Sequence, residues 1–158
     1  MGNIHPAMIL LAGSILLALL PVKSRRVVSL LLPIFSFVNL LAIPEGTMWH
    51  VSWAGFDLTV LRVDRLSLLF GYLFHLAALI ATIYSLHLDD KLQITTGLMY
   101  AGAAIGAVFA GDLLILFIFW ELLAVTSVFQ VWARGGQRAL DSGTRYLLLH
   151  IASGLLLL

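Results

Sequence analysis

Phe109-Ala-Gly-Asp-Leu-Leu-Ile-Leu-Phe-Ile-Phe-Trp-Glu-Leu-Leu-Ala-Val-Thr-Ser-Val-Phe-Gln-Val-Trp132 is the most apolar part of the chain, and it holds an acid, Glu121, near its centre. The run is long enough for a helix to cross a hydrocarbon core about 30 Å thick. If that helix opens near Asp112 and rises about 1.5 Å per residue, Glu121 lies roughly 13 Å deep. A carboxylate at that depth costs at least a few kcal/mol unless it is protonated, paired or wetted, which makes Glu121 a functional-site candidate.

Composition places the rest of the chain in the same solvent. Of 158 residues, 61% are hydrophobic and 11% charged, against about a quarter charged in soluble domains. The fold expected is all-α, a polytopic transmembrane bundle of about six helices forming a single domain over residues 1–158. The expected helices are Ile4–Leu20, Val27–Ile43, Asp64–Leu86, Ile94–Ala110, Asp112–Trp132 and Thr144–Leu158. The last run stops at Leu158 without a closing charge or aromatic anchor, as if cut in mid-helix. Pro33 falls inside the second run, where a kink is expected.

The first run is not a secretory signal, because its positive charges follow it and none precede it. Threading six helices from an external N-terminus puts Lys23, Arg25, Arg26, Lys91, Arg134, Arg138 and Arg145 inside and only Arg62 and Arg65 outside. An integral membrane protein of a bacterial inner membrane, N-terminus outside, is the expectation. The long external loop Pro44–Val63 alternates apolar and polar residues around Ala54-Gly55, which predicts a short β-hairpin. Trp49 and Trp53 there, and Trp132 inside, stand where interfacial aromatics belong.

Several chemistries are excluded. The chain has no cysteine, so disulfides, thiolate metal sites and cysteine nucleophiles are absent. The five histidines show no paired ligand spacing, so neither a metal site nor a cofactor site is expected. The nine Lys and Arg form no basic face, so nucleic acid is not an expected partner. Gly135-Gly136-Gln137 lacks the Lys-Ser/Thr ending of a phosphate loop and is a turn.

Seven other acids lie in loops or at helix ends. Asp64 and Asp112 are expected to cap helices, and Asp89-Asp90-Lys91 to form a solvated turn. Glu121 has no polar partner three or four residues away on its own helix. His75, with Tyr72 and Thr82 on its face, and His150, with Tyr146 and Ser153, are the candidate relay residues; each could equally be a satisfied core histidine. His5, His50 and His87 are expected to be inert loop or terminal residues. Gly102, Gly106 and Ala110 form a small-residue ridge on the fourth helix, suited to close helix packing.

Phe117-Ile-Phe-Trp-Glu-Leu-Leu-Ala-Val-Thr-Ser127, preceded by Ala110-Gly-Asp-Leu-Leu and followed by Arg145-Tyr-Leu-Leu-Leu-His150, resembles the antiporter-like, proton-conducting subunits of respiratory complex I, membrane-bound hydrogenases and Mrp-type Na+/H+ antiporters. Leu61-Arg-Val-Asp-Arg-Leu-Ser-Leu-Leu-Phe70 resembles the opening of that family's third helix. The Tyr146 and His150 pattern is most similar to the Mrp D subunit. The resemblance implies about fourteen helices in a full member, with two inverted repeats of about five helices beginning at the fourth. It also implies that Glu121 works against a lysine on a seventh helix, which is not in this chain.

The function implied is that of a membrane subunit, or the N-terminal part of one, in a cation/proton antiporter or a redox-driven proton pump of the NADH-quinone oxidoreductase kind. Glu121 would be the protonatable centre. The chain would not be catalytic alone, and its partners would be the lipid bilayer, protons, Na+ and membrane subunits that supply the lysine-bearing helices. The alternative is a non-transporting structural subunit.

Overall fold

The computed structural model describes residues 4–53, 55–87 and 90–157. Among them are six helices and one two-stranded sheet: α1 (Pro6–Leu17), α2 (Val22–Leu41), β1 (Met48–Trp53), β2 (Phe56–Arg62), α3 (Arg65–Ser85), α4 (Lys91–Phe109), α5 (Leu113–Trp132) and α6 (Gln137–Leu157). Ala54 and Asp89, which the two turn expectations include, and Leu158 lie outside the described residues.

Four helices, α2 to α5, are long and apolar enough to cross a membrane. The six expected helices are all present, and the other two differ from these four in length or in composition. α1 has only 12 residues, because Pro21 disfavours helical geometry at Leu20; the chain leaves the helix through bonds from Ala18, Leu19 and Leu20 to carbonyls three residues back. α6 has 21 residues but spends its first turns on Arg138, Asp141 and Arg145.

The starts of α2 and α6 also differ from expectation, for one reason. Charged side chains end an apolar run without ending a backbone helix. α2 begins at Val22, not Val27, with Arg25 N–H bonded to the Pro21 carbonyl at 2.9 Å. α6 begins at Gln137, not Thr144, where Ala139 and Leu140 N–H groups bond the Gly136 carbonyl. Pro33 lies buried inside α2, which runs on through it.

α1, α2, α3 and α4 close into a ring, each packed on the next, with α4 returning to α1. α5 is added outside this ring on α4, and α6 rests on α5. Leu10, Leu17, Leu40, Ile105 and Phe109 are fully buried where the ring helices meet. The ridge of Gly102 and Gly106 is filled from within the chain: Leu10 and Leu11 of α1 lie over Gly102, and the Phe119 ring of α5 lies over Gly106. Ala110 caps the end of α4.

The antiparallel hairpin pairs Met48 with Arg62 and Trp53 with Phe56, with a bulge between Trp49 and His50. Gly55, at φ +84°, turns the chain. The hairpin is tied to the start of α5: Asp112 accepts Ile115 N–H at 2.8 Å as helix cap and Thr59 N–H of β2 at 2.6 Å. Asp64 forms a capping box with Ser67 at the start of α3.

Candidate functional site

The α5–α6 seam is where side chains of unmet polarity meet. α5 contributes Phe117, Trp120, Glu121 and Ser127, and α6 contributes Gly143, Tyr146, His150 and Gly154. The four α6 residues recur at intervals of three or four and so lie on one stripe of the helix. Running antiparallel to α5, that stripe sets Gly154 at the level of Glu121, Tyr146 at Ser127 and Gly143 at Trp132.

Glu121 is half-buried, and its Oε1 is sealed from solvent with no hydrogen-bond partner. The carboxyl lies directly over Gly154 of α6. His150 is also half-buried, and its Nε2 is sealed and unpartnered. Its ring stacks on Trp120 with centroids 5.9 Å apart at 29°, and stands 5.8 Å from the Tyr146 ring at 45°. The Tyr146 hydroxyl lies 3.0 Å from Ser127 Oγ. Because the Ser127 hydroxyl donates to the Ala124 carbonyl at 2.9 Å, Tyr146 is the donor in that pair. A buried polar atom with no partner costs about 1–3 kcal/mol. Glu121 Oε1 and His150 Nε2 share one seam, while Arg25 Nε and Thr95 Oγ1 are buried without a partner among the described residues elsewhere in the bundle.

His75 is in another place and another state. It is buried inside the helical ring, with Nδ1–H donating to the Gly71 carbonyl at 2.6 Å. Nε2 is thereby left to accept from the Ser36 hydroxyl of α2 at 2.7 Å, and that oxygen lies 2.8 Å from the Pro6 carbonyl of α1. The imidazole thus ties α3 to α2, and the one Ser36 proton cannot serve both His75 Nε2 and the Pro6 carbonyl. Tyr72 turns to an edge contact with Phe37, and Thr82 bonds the Ala78 carbonyl, so neither continues from His75.

His5, expected to be an inert terminal residue, is buried instead. Its Nδ1 accepts Ala7 N–H at 3.2 Å and caps α1, which leaves Nε2–H to donate to the Val60 carbonyl of β2 at 3.3 Å. Its ring stacks on Phe119 with centroids 5.9 Å apart. Pro6 at the first helical position marks the helix start in the sequence, but histidine is not among the usual cap residues, so its role shows only in the structure. His50 and His87 are exposed.

Around the hairpin the electrostatics are those of solvated loops. Arg65 pairs with Glu45 at 3.1 Å and Arg62 with Asp64 at 3.4 Å. The Ser67 N–H holds the Asp64 carboxyl below the usual carboxylate range against the opposing effect of desolvation, with the Ser67 hydroxyl and Arg62 adding smaller contributions.

These features define a polytopic helical membrane protein with an unpaired acid on one helix seam. No family model matches the chain. Over 89 residues it is 35% identical to the A subunit of the Na(+)/H(+) antiporter of Alkalihalophilus pseudofirmus, a stretch equal to 52% of this chain and 11% of that protein. The chain thus spans about a tenth of that relative's length. The similarity supports a membrane protein related to cation/proton antiporter subunits. The relative matched is an A subunit, so the expected likeness to a D subunit finds no support in it.

Proposed function

We propose that this chain is a membrane subunit, or the N-terminal part of one, of a multi-subunit cation/proton antiporter, and that Glu121 takes up and releases a proton near the middle of the membrane. The observation that carries the reading is the sealed, unpartnered Oε1 of Glu121 on the α5–α6 seam. A carboxyl oxygen with no hydrogen bond is free to respond to a charge brought beside it, which that of a structural carboxyl is not. His150 is the relay residue nearest in chemistry: its Nε2 is likewise unpaired and its ring lies on the residue adjoining Glu121. His75 we assign to the scaffold, because both its nitrogens are already engaged.

The cation that would act on Glu121 comes from a partner polypeptide in this reading, since Oε1 of Glu121 has no partner among the described residues. The distribution of Lys and Arg favours an external N-terminus in a bacterial inner membrane. An antiporter is preferred to a redox-driven pump because the relative's name specifies Na(+)/H(+) exchange.

The test is cation-driven proton movement in vesicles containing the native assembly. Glu121→Gln abolishes it if the proposal holds, with the assembly intact. Unchanged exchange would leave the second reading, a non-transporting structural subunit, which the same lack of a cationic partner favours.

A further inference from the structure

From the packing of α6 on α5 we infer that Gly154 is the positioning residue of the Glu121 carboxyl: its bare backbone is the seat that the carboxyl occupies. This rests on the proposed proton role of Glu121, yet the geometry behind it is independent of transport. A Cβ built at Gly154 falls on Oε1 of Glu121, well inside van der Waals distance, and 3.1 Å from Cε2 of Phe117. The carboxyl and the edge of the Phe117 ring therefore both lie against the α6 backbone at Gly154, in a space that an added Cβ would fill. A glycine inside a helix costs about 1 kcal/mol relative to alanine, and here that cost secures the approach of one polar group.

A second glycine supplies the comparison. Gly143 lies eleven residues before Gly154, about three helical turns, and so on the same face of α6. A Cβ at 143 would strike the Trp132 indole and come within 3.1 Å of Cγ2 of Val128. Gly143 thus seats a large aromatic ring at one end of the seam, and Gly154 seats the acid at the other. The two are matched as helix-packing notches and differ in what they hold. Since Glu121 is the flexible end of a side chain, crowding at 154 displaces the carboxyl before it displaces the helix. The ring at 143 has no such freedom.

The seat also explains how a bare carboxyl on one helix is coupled to another. Motion of α6 along or around α5 changes the space over Gly154 and so moves Oε1 toward or away from any cation a partner presents. A shift of about 1 Å in a reacting group costs as much as a hundredfold in rate. Gly154 touches no proton itself and acts only through Glu121.

The experiment uses the native assembly in vesicles, with the carboxyl band of Glu121 identified by infrared difference spectroscopy against Glu121→Gln. Gly154→Ala is expected to shift that band, move the pH midpoint of exchange and slow exchange by about tenfold to a hundredfold. Gly97→Ala, at a helical glycine of α4 where an added Cβ meets nothing within 4 Å, leaves the band and the pH midpoint in place. Glu121→Asp withdraws the carboxyl by one methylene, so in that background Gly154→Ala should have little further effect on either readout. This pair keeps the test open if Gly154→Ala alone fails to assemble. An unmoved Glu121 band in Gly154→Ala, or an equal additional shift in the Asp background, overturns the inference. A shifted band together with unchanged exchange in Glu121→Gln upholds the seat and overturns the proton reading.

Discussion

Inside the ring of α1 to α4, the polar groups of the His75 cluster are hydrogen-bonded; on the α5–α6 seam, two are not. His75 and His150 are the same residue type on helices of the same bundle. One is bonded at both nitrogens to Gly71 and Ser36, and the other leaves Nε2 bare beside Trp120 and Tyr146. The difference is local, not a property of the ring as a whole, since Arg25 Nε of α2 and Thr95 Oγ1 of α4 are also buried without a partner. His75 lies within reach of the Ser36 hydroxyl on a neighbouring helix, whereas among the described residues α6 packs on α5 and offers His150 Nε2 no such group. Satisfied polarity stabilises and fixes; unsatisfied polarity is what a moving charge or proton can act on.

The sharpest break of this contrast is Glu121→Leu. Exchange by the native assembly should fall to background, while the thermal stability of the chain holds or rises by about 1–3 kcal/mol as an unmet polar group is removed; a large drop in melting temperature would make Glu121 structural. His75→Ala should do the reverse. It removes the imidazole bonds to Ser36 and Gly71 and opens a cavity, costing about 3 kcal/mol in denaturation midpoints. Exchange per folded assembly should be unchanged, and a loss with a shifted pH profile would move His75 from scaffold to relay.

His150→Phe keeps an aromatic ring on Trp120 and deletes the bare nitrogen. We expect exchange to slow by about tenfold or more with no loss of stability; the reverse pattern would show that the seam needs the imidazole for packing only. The smallest effect concerns Asp64, outside both regions. Its carboxyl is held below its ordinary value mainly by the Ser67 N–H. The stabilisation is therefore present in full above the unfolded value of about 4 and is lost as pH falls through the lower folded value. Melting temperatures recorded from pH 5 downward should show this contribution vanish in Asp64→Asn. An unaltered acid slope in that variant would place the effect elsewhere.

Much of this is legible along the chain. Glu121 is conspicuous because a charge in an apolar run is a local fact, needing no knowledge of neighbours. The hairpin is legible from alternation alone, and Asp64 and Asp112 as caps from their place before apolar runs. Gly154 is not. In the sequence it is the last of three small residues, Ala152-Ser153-Gly154, and its meaning depends on the side chain of Glu121, far back in the chain, lying across it. The true starts of α2 and α6 are hidden for a different reason, since hydropathy reports what lipid tolerates while helix bonds run through the backbone regardless of charge.

The sequence by itself determined the solvent, the helical class, the hairpin and the presence of one acid with no partner on its own helix, because each rests on the character of adjacent residues and their spacing. Only the tertiary structure decided that His75 is engaged at both nitrogens while His150 leaves Nε2 bare, that His5 is a buried cap, and that Glu121 rests on bare α6 backbone. Those are matters of which helices touch, and hydrogen-bond partners and packing seats come from residues brought together by the fold.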